Sequence, residues 1–183
     1  AVPVVKAGDE VLAGQLIAEA NGAVSANIHS SVSGKVKAIQ KRPLPTGGVG
    51  MSIVITNDNE YREVEYKPAS LDSLSREEIL ARIRAAGVVG MGGAGFPADA
   101  KFNPDNYDKI ENLVVNGAEC EPYLTSDYKT MVDSPDRVIG GIKIALKLLP
   151  NATAVIGIED NKPDAVSIFR EKCVNEPKIE VAK

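Results

Sequence analysis

The sequence runs to 183 residues, 44% apolar and 25% charged, with a net charge of −4, enough for one medium domain and a smaller one. The acidic balance, the lack of Trp and the lack of basic runs speak against a nucleic-acid partner. No apolar run reaches bilayer length, since the best candidate, Val138 to Leu149, is broken by Lys143 and Lys147.

Residues 1–68 read as a first, β-rich unit in which Val, Ile and Thr alternate with polar residues and Gly and Pro recur. Gly8-Asp9 and Gly14-Gln15 supply turns, and Val11, Leu12, Leu16 and Ile17 supply core. Asn21-Gly22 is read as a tight hairpin turn. The two halves around it, Val5 to Ile17 and Ser30 to Val36, resemble a biotinyl or lipoyl carrier domain. No lysine stands on the hairpin to carry a prosthetic group, so the unit is expected to be a barrel-sandwich hybrid scaffold. His29 is the sole histidine and is read as a surface or strand-packing residue. Pro43 to Gly50 reads as a mobile loop, Met51 to Thr56 as a strand and Tyr61 to Lys67 as a closing ribbon. A linker from Pro68 leads into the second unit, residues 69–183.

There, Ser75 and Glu78 form a capping box, and apolar Ile79, Leu80 and Ile83 make a helix to Ala86 with Gly87 at its C-terminal cap. Asn103 to Tyr107 reads as a turn and Glu111 to Asn116 as a buried strand. The carboxyl end of that strand delivers Asn116, Glu119, Cys120 and Glu121 to the place where open α/β sheets gather ligands. Ser134-Pro135 opens a helix to Leu149, Thr153 to Ile158 makes a second strand, Asn161 caps a helix from Lys162 to Cys173, and Lys178 to Ala182 begins a third strand. This alternation predicts an α/β fold, a Rossmann-like three-layer domain with a mostly parallel sheet. Cys120 and Cys173 stand far apart without a C-x-x-C, so neither a zinc site nor an iron–sulfur cluster is expected in this stretch, and a reduced, cytoplasmic setting fits. Ending on Lys183 just after a strand-like run, the chain is expected to be a piece of a longer one.

The stretch from Gly87 to Lys101 needs a different explanation. Gly87, Gly90, Gly92, Gly93 and Gly95 are costly to order and contribute nothing to a core. What they offer is backbone N–H groups that can approach an anion closely. Phe96 adds a flat apolar face and Lys101 a cation, a combination suited to a phosphate plus an aromatic ring. Gly90-x-Gly92-x-x-Gly95 matches the dinucleotide fingerprint, yet a helix rather than a strand feeds it, and Gly95 is followed by Phe96 rather than by the Lys of a Walker A loop.

Gly90-Met-Gly-Gly-Ala-Gly-Phe-Pro-x-x-x-Lys101, followed by Asn116-Gly-Ala-Glu-Cys-Glu-Pro-Tyr-Leu-Thr125, resembles the C subunit of the Rnf electron-transport complex. More distantly it is similar to the NADH-binding flavoprotein subunit of respiratory complex I. The resemblance implies a peripheral subunit on the inner face of the cell membrane, passing electrons between NAD(H) and iron–sulfur clusters through FMN. It implies that Gly90, Gly92, Gly93, Gly95, Phe96 and Lys101 meet FMN or NADH, and that Asn116 and Glu119 hydrogen-bond the flavin. Glu121 would stand beside the nicotinamide as the catalytic acid, with Glu159 and Asp160 reaching the same pocket. Iron–sulfur clusters would belong to a region beyond Lys183, and the implied partners are membrane subunits of the complex and ferredoxin or flavin-carrying subunits. Two other readings stay open. One is a soluble flavin and iron–sulfur reductase serving a cobalamin or amino-acid reductase system. The other is a flavin-free scaffold like the quinone-binding subunit of the sodium-pumping NADH dehydrogenase.

Overall fold

A computed structural model describes residues 1–45, 47–91 and 93–183; Thr46 and Gly92 lie outside the described residues. The fold is mixed α/β and forms two compact units, Ala1–Lys101 and Phe102–Lys183.

The first unit holds two three-stranded antiparallel sheets. One contains β1 (Val2–Pro3), β3 (Leu16–Glu19) and β4 (Ile28–His29); the other contains β2 (Glu10–Val11), β5 (Gly34–Pro43) and β6 (Val49–Asn57). Val11, Ile17 and Val36 form its buried centre, with Val5, Ile39, Ile53 and Ile55 packed around them. No closed barrel forms among the described residues. His29 is half-buried in β4 opposite Leu16, as a strand-packing residue would be.

Three local expectations are corrected. Asn21-Gly22 is not a two-residue turn, because residues 20–27 form a longer connection in which Asn27 Oδ1 accepts from Ala20 N–H and Ser25 Oγ from Asn21 N–H. Pro43, Val49 and Gly50 are paired strand residues and leave the expected loop, of which Thr46 lies outside the described residues. Among the described residues the segment 61–67 makes no ribbon of strands, and its one β-bridge joins Glu63 to Ala13. What fixes it is Ser33, fully buried, whose hydroxyl donates to Asp58 Oδ1 at 2.6 Å and accepts from Arg62 N–H at 3.0 Å. The Ser33 bond is the largest influence on Asp58, ahead of those from Glu60 N–H and Arg62, and together they lower its pKa to about 2.

Helix α1 (Arg76–Ala85) follows in the same unit, with both halves of the Ser75–Glu78 capping box formed. A short helix α2 (Ala98–Lys101) closes the unit.

In the second unit, β7 (Asn112–Gly117), β8 (Thr153–Ile158) and β9 (Ile179–Ala182) form a parallel sheet in that order. Helices α3 (Ser126–Asp133) and α4 (Pro135–Leu148) cross from β7 to β8, and α5 (Pro163–Lys172) crosses from β8 to β9. Ala154, Ile156 and Ile158 alternate inward along β8 and pack with Ile139, Ile142 and Leu146 of α4 and Phe169 of α5. Phe169 is wholly buried, a burial that contributes about 1.5–3 kcal/mol. On the opposite face of the sheet Val114 remains 74% exposed. Helix α3 was not foreseen, and the residue before α5 is Lys162 rather than Asn161, with no side-chain cap bond.

Candidate functional site

The glycine loop belongs to the first unit. Its legs are pinched together by an antiparallel bridge between Val89 and Pro97, by Gly90 N–H donating to Phe96 O at 2.9 Å and by Ala98 N–H donating to Val88 O at 2.9 Å. Outside the neck, Arg84 at the end of α1 pairs with Asp99 at the start of α2 at 2.9 Å. Below it, the Asn27 side-chain amide donates to Ala85 O at 3.2 Å. The loop is therefore a closed hook on a rigid base.

Gly87 is part of that base: its φ is +65°, and a Cβ there would lie 2.2 Å from the carbonyl oxygen of Asn27. Gly93 and Gly95 are the opposite case. Both have positive φ, +117° and +61°, but a Cβ on either would meet nothing within 4 Å. Met91, Gly93, Ala94, Gly95 and Phe96 are exposed, and no backbone hydrogen bond is made by Met91, Gly93, Ala94 or Gly95 among the described residues. Such a bare stretch leaves room for a ligand at the backbone where side chains would stand. Phe96 is 43% exposed, and Lys101 ends α2 with its side chain exposed. Gly92 lies outside the described residues.

The acids belong to the second unit and gather at the carboxyl ends of β7 and β8, where Gly117 and Ile158 are aligned partners. Asn116 is the penultimate residue of β7, and its Oδ1 accepts from Ala118 N–H at 3.0 Å, shaping the exit. Asn116 also lines a small cavity of about 140 Å³ with Asp127, Thr130 and Met131.

Glu119 turns inward, its side chain only 4% exposed. One carboxylate oxygen accepts from Asp127 N–H at 2.8 Å and Ser126 Oγ at 3.2 Å, the other from Tyr128 N–H at 3.1 Å. The two N–H groups are orphan donors of the first turn of α3, whose own N-cap residue, Thr125, makes no side-chain cap bond. Burial pushes the Glu119 pKa up, but those bonds and the charge of Lys162 outweigh it and hold the carboxyl below its usual range.

Lys162 ties the ends of the two strands together. Its side chain is 14% exposed, with the ammonium 2.9 Å from Glu159 and 3.8 Å from Glu119. Glu159 is held below its usual pKa chiefly by that Lys162 bond, with smaller help from Asn161 and from Glu119 N–H. Beside them, Tyr128 Oη donates to Asp164 at 2.5 Å, and Thr125, Tyr128, Asn161 and Lys162 line a shallow cavity of about 320 Å³. Glu121, Asp160 and Cys120 are exposed on the surrounding loops.

The structure thus joins Glu119 to Glu159 and places Asn116 at the same end of the sheet. Three features of the site were not read from sequence: Lys162 as the common partner of two acids, Asn27 as the anchor of the loop base, and the Arg84–Asp99 pair bracketing the hook. Only the Glu159–Lys162 spacing of three residues carries a local signal for any of them. No cluster of His, Cys, Asp and Glu fit to hold a metal ion occurs among the described residues.

Comparison with known proteins gives two family matches in series. Residues 1–60 match the RnfC barrel sandwich hybrid domain, and residues 83–183 match the Nuo51 FMN-binding domain. Over 171 residues the chain is 47% identical to the C subunit of the proton-translocating ferredoxin:NAD(+) oxidoreductase complex of Clostridium ljungdahlii, covering 92% of this chain and 37% of that protein. It is 40% identical over 181 residues to the C subunit of the Na(+)-translocating ferredoxin:NAD(+) oxidoreductase complex of Acetobacterium woodii, covering 98% and 41%. It is 44% identical over 168 residues to the C subunit of the ion-translocating oxidoreductase complex of Pseudomonas aeruginosa, covering 90% and 22%. The chain spans well under half the length of these relatives.

Proposed function

This chain belongs to the Nuo51 FMN-binding domain family, behind an RnfC barrel sandwich hybrid domain, and we propose that it is the FMN- and NADH-binding part of the C subunit of an ion-translocating ferredoxin:NAD oxidoreductase. The observation that carries the reading is the glycine hook: a pinched neck, an exposed backbone, and open space at Gly93 and Gly95 where any other residue would place a Cβ. In this reading residues 69–183 carry the cofactors and residues 1–68 are the scaffold.

Gly92, Gly93 and Gly95 would hold the FMN phosphate with backbone N–H groups, and Gly90, whose own N–H closes the neck on Phe96 O, would let the ligand approach the backbone. Phe96 would supply an apolar face, and Lys101 would pair with phosphate oxygens or donate to ribityl hydroxyls. Bound FMN supplies hydride acceptance from NADH and one-electron release to iron–sulfur acceptors. Asn116 offers an amide for the flavin, while Glu119 fixes the loop that bears Glu121. Glu121, a solvated carboxylate, would orient the nicotinamide carboxamide and favour the positive charge that develops as hydride leaves. Glu159 and Asp160 add negative charge at the same end of the sheet. The iron–sulfur clusters would lie in the part of the relatives' length that these 183 residues do not cover.

Among the described residues no helix is long and apolar enough to cross a membrane. From its likeness to subunits of ion-translocating complexes, the proposed location is peripheral, on the inner face of the cell membrane, next to membrane subunits and a ferredoxin or flavin-carrying partner.

The test is FMN titration by fluorescence quenching on the protein expressed at the full length of its relatives, followed by anaerobic reduction with NADH. Gly93→Val is expected to abolish stoichiometric FMN binding, and Glu121→Gln to keep FMN while slowing flavin reduction about 10- to 100-fold. FMN affinity unchanged in the Val variant would remove the hook from the site and the reading with it.

A further inference from the structure

The β5–β6 hairpin outruns the unit that supports it. Strand β2 pairs with β5 only at Lys35 and Gly34, and the core beneath β5 and β6 ends at Ile39, Ile53 and Ile55. Beyond that point the hairpin continues through the pairs Gln40–Ser52, Lys41–Met51, Arg42–Gly50 and Pro43–Val49. Opposed residues of an antiparallel pair share a face. The face that carries Ile39 and Ile53 therefore runs on outward as Lys41 opposite Met51 and then Pro43 opposite Val49; Met51 is 61% exposed and Val49 66%, while Leu44, 40% exposed, lies over Gly50 on the other face.

The charge on this hairpin is equally one-sided. Between residues 34 and 56 stand Lys35, Lys37, Lys41 and Arg42 and not one acid, in a chain whose net charge is −4. All four cations are exposed, and none makes an ion pair among the described residues. Elsewhere in the same unit basic side chains do find acids, as Arg62 does with Asp58 and Glu60 and Arg84 with Asp99.

Pro43, Leu44 and Val49 lie outward of Lys41 and Arg42, with Met51 level with Lys41, an order of layers found at a bilayer surface, acyl boundary and then phosphate. The partner must be anionic. A protein partner fits poorly on area: five cross-strand pairs from Ile39 to Pro43 span about 14 Å at ~3.4 Å per residue, so one face of a two-stranded ribbon offers on the order of 150 Å². That is far below the roughly 800 Å² per partner of a stable protein interface, whereas a fluid lipid surface needs no matched shape.

We propose that the β5–β6 hairpin is a membrane-surface arm: Leu44, Val49 and Met51 enter the interface of an anionic bilayer while Lys41 and Arg42 engage its headgroup phosphates. Lys37 lies farther along β5 and adds longer-range attraction, whereas Lys35 stands opposite Glu10 of β2 and adds less. The arm holds the first unit against the membrane without a spanning helix, and it is independent of the flavin reading.

The experiment is co-sedimentation of the chain with phosphatidylglycerol vesicles, with phosphatidylcholine vesicles as the uncharged comparison. The wild-type chain is expected to sediment with the anionic vesicles at low ionic strength and to be released at about 1 M salt, where the Debye length is ~3 Å. The double variant Lys41→Ser/Arg42→Ser is expected to lose about 30-fold in partition, at roughly fivefold, or about 1 kcal/mol, per cation. Val49→Ser/Met51→Ser is expected to lose about tenfold or more. The same two-charge removal as Lys109→Ser/Lys183→Ser on the second unit is expected to change partition by less than about twofold, since it lies off the arm. All substituted side chains are exposed, and circular dichroism checks that each variant is folded. A wild-type chain that stays in solution with phosphatidylglycerol overturns the proposal, and so does binding that neither arm variant weakens. Concentration-dependent dimerisation abolished by Val49→Ser/Met51→Ser would give the face to a second copy and overturn it equally.

Discussion

Two glycines eight residues apart are predicted to respond oppositely to the same added methyl group. At Gly95 an alanine would adopt φ near +61° with nothing within 4 Å of its Cβ. The loss is the left-handed backbone term of about 1–2 kcal/mol, partly offset by about 0.4–1 kcal/mol from a stiffer unfolded chain. For a unit of 101 residues a net loss near 1 kcal/mol lowers Tm by about 4–8 °C. At Gly87 the backbone term is similar, but the Cβ would sit 2.2 Å from the Asn27 carbonyl. That overlap forces the base of the hook apart and strains the Asn27–Ala85 bond. Overpacking of about 1–3 kcal/mol and a lost hydrogen bond of about 1 kcal/mol bring the total to about 3–5 kcal/mol. Binding should reverse the ranking. In the proposed site a Cβ at Gly95 would occupy the space of the FMN phosphate and raise Kd at least about tenfold, or 1.4 kcal/mol. Gly87→Ala, measured well below its own Tm, should shift Kd less than about twofold. Thermal unfolding and FMN fluorescence titration on the same preparations read both quantities. Gly95→Ala with unchanged FMN affinity, or Gly87→Ala as stable as wild type, would refute the division of the loop into a packed base and an open seat.

Two further outcomes follow from buried geometry. Ser33→Ala removes the hydroxyl that holds Asp58 and leaves Arg62 N–H unpaired, so denaturant unfolding should show a loss of about 1–3 kcal/mol. The same variant should change the acid limb, because the Asp58 pKa is depressed from 3.8 to about 2 in the fold. A depressed carboxyl contributes stability above its unfolded pKa and loses it as pH falls through the folded one, so wild type should lose this contribution between about pH 4 and pH 2 and Ser33→Ala should lose less there. At the end of β7, a Cβ on Gly117 would lie 2.8 Å from Gly157 O and 3.1 Å from Met131 Sδ. Gly117→Val is therefore expected to cost about 1–3 kcal/mol by thermal melting and to open the contact between β7 and α3.

What the sequence disclosed tracks how local each interaction is. Helix α1 was readable because both halves of its capping box lie within four consecutive residues, Ser75 to Glu78. Strand β8 was readable because Thr153 to Ile158 is a short apolar run bounded by turn residues. Helix α3 was not, because the carboxylate that satisfies its first turn is Glu119, seven residues ahead of Ser126 and across an irregular loop. The Asn21-Gly22 turn failed for a related reason: Ser25 and Asn27 claim the N–H groups that a two-residue turn would leave to the opposite strand. In the site, glycine density alone marked the hook, since glycines that build no core need another purpose. Its neck and its base depend on Asn27, Arg84 and Asp99, whose identities carry no such mark. The linkage of Glu119 to Glu159 through Lys162 joins two strand ends far apart in sequence, and only the parallel register reveals it.

The two glutamates that flank Cys120 divide the work by the donors around them. An ionised carboxylate has about four acceptor positions; Glu119 uses three on Ser126, Asp127 and Tyr128, and Lys162 stands 3.8 Å from one of its oxygens. One position at most remains for a ligand, and a ligand reaching it must pass an ammonium already shared with Glu159. Glu121 is exposed on the same loop and its carboxylate has no ion pair among the described residues, which in the proposed site leaves its acceptors for a substrate that arrives from solvent. In the proposed reaction the charge that meets the nicotinamide is therefore that of Glu121, while Glu119 sets the position of the loop by anchoring it to the start of α3. Replacing Glu119 disturbs the fold and the site together, so Glu121→Gln is the substitution that isolates the chemistry.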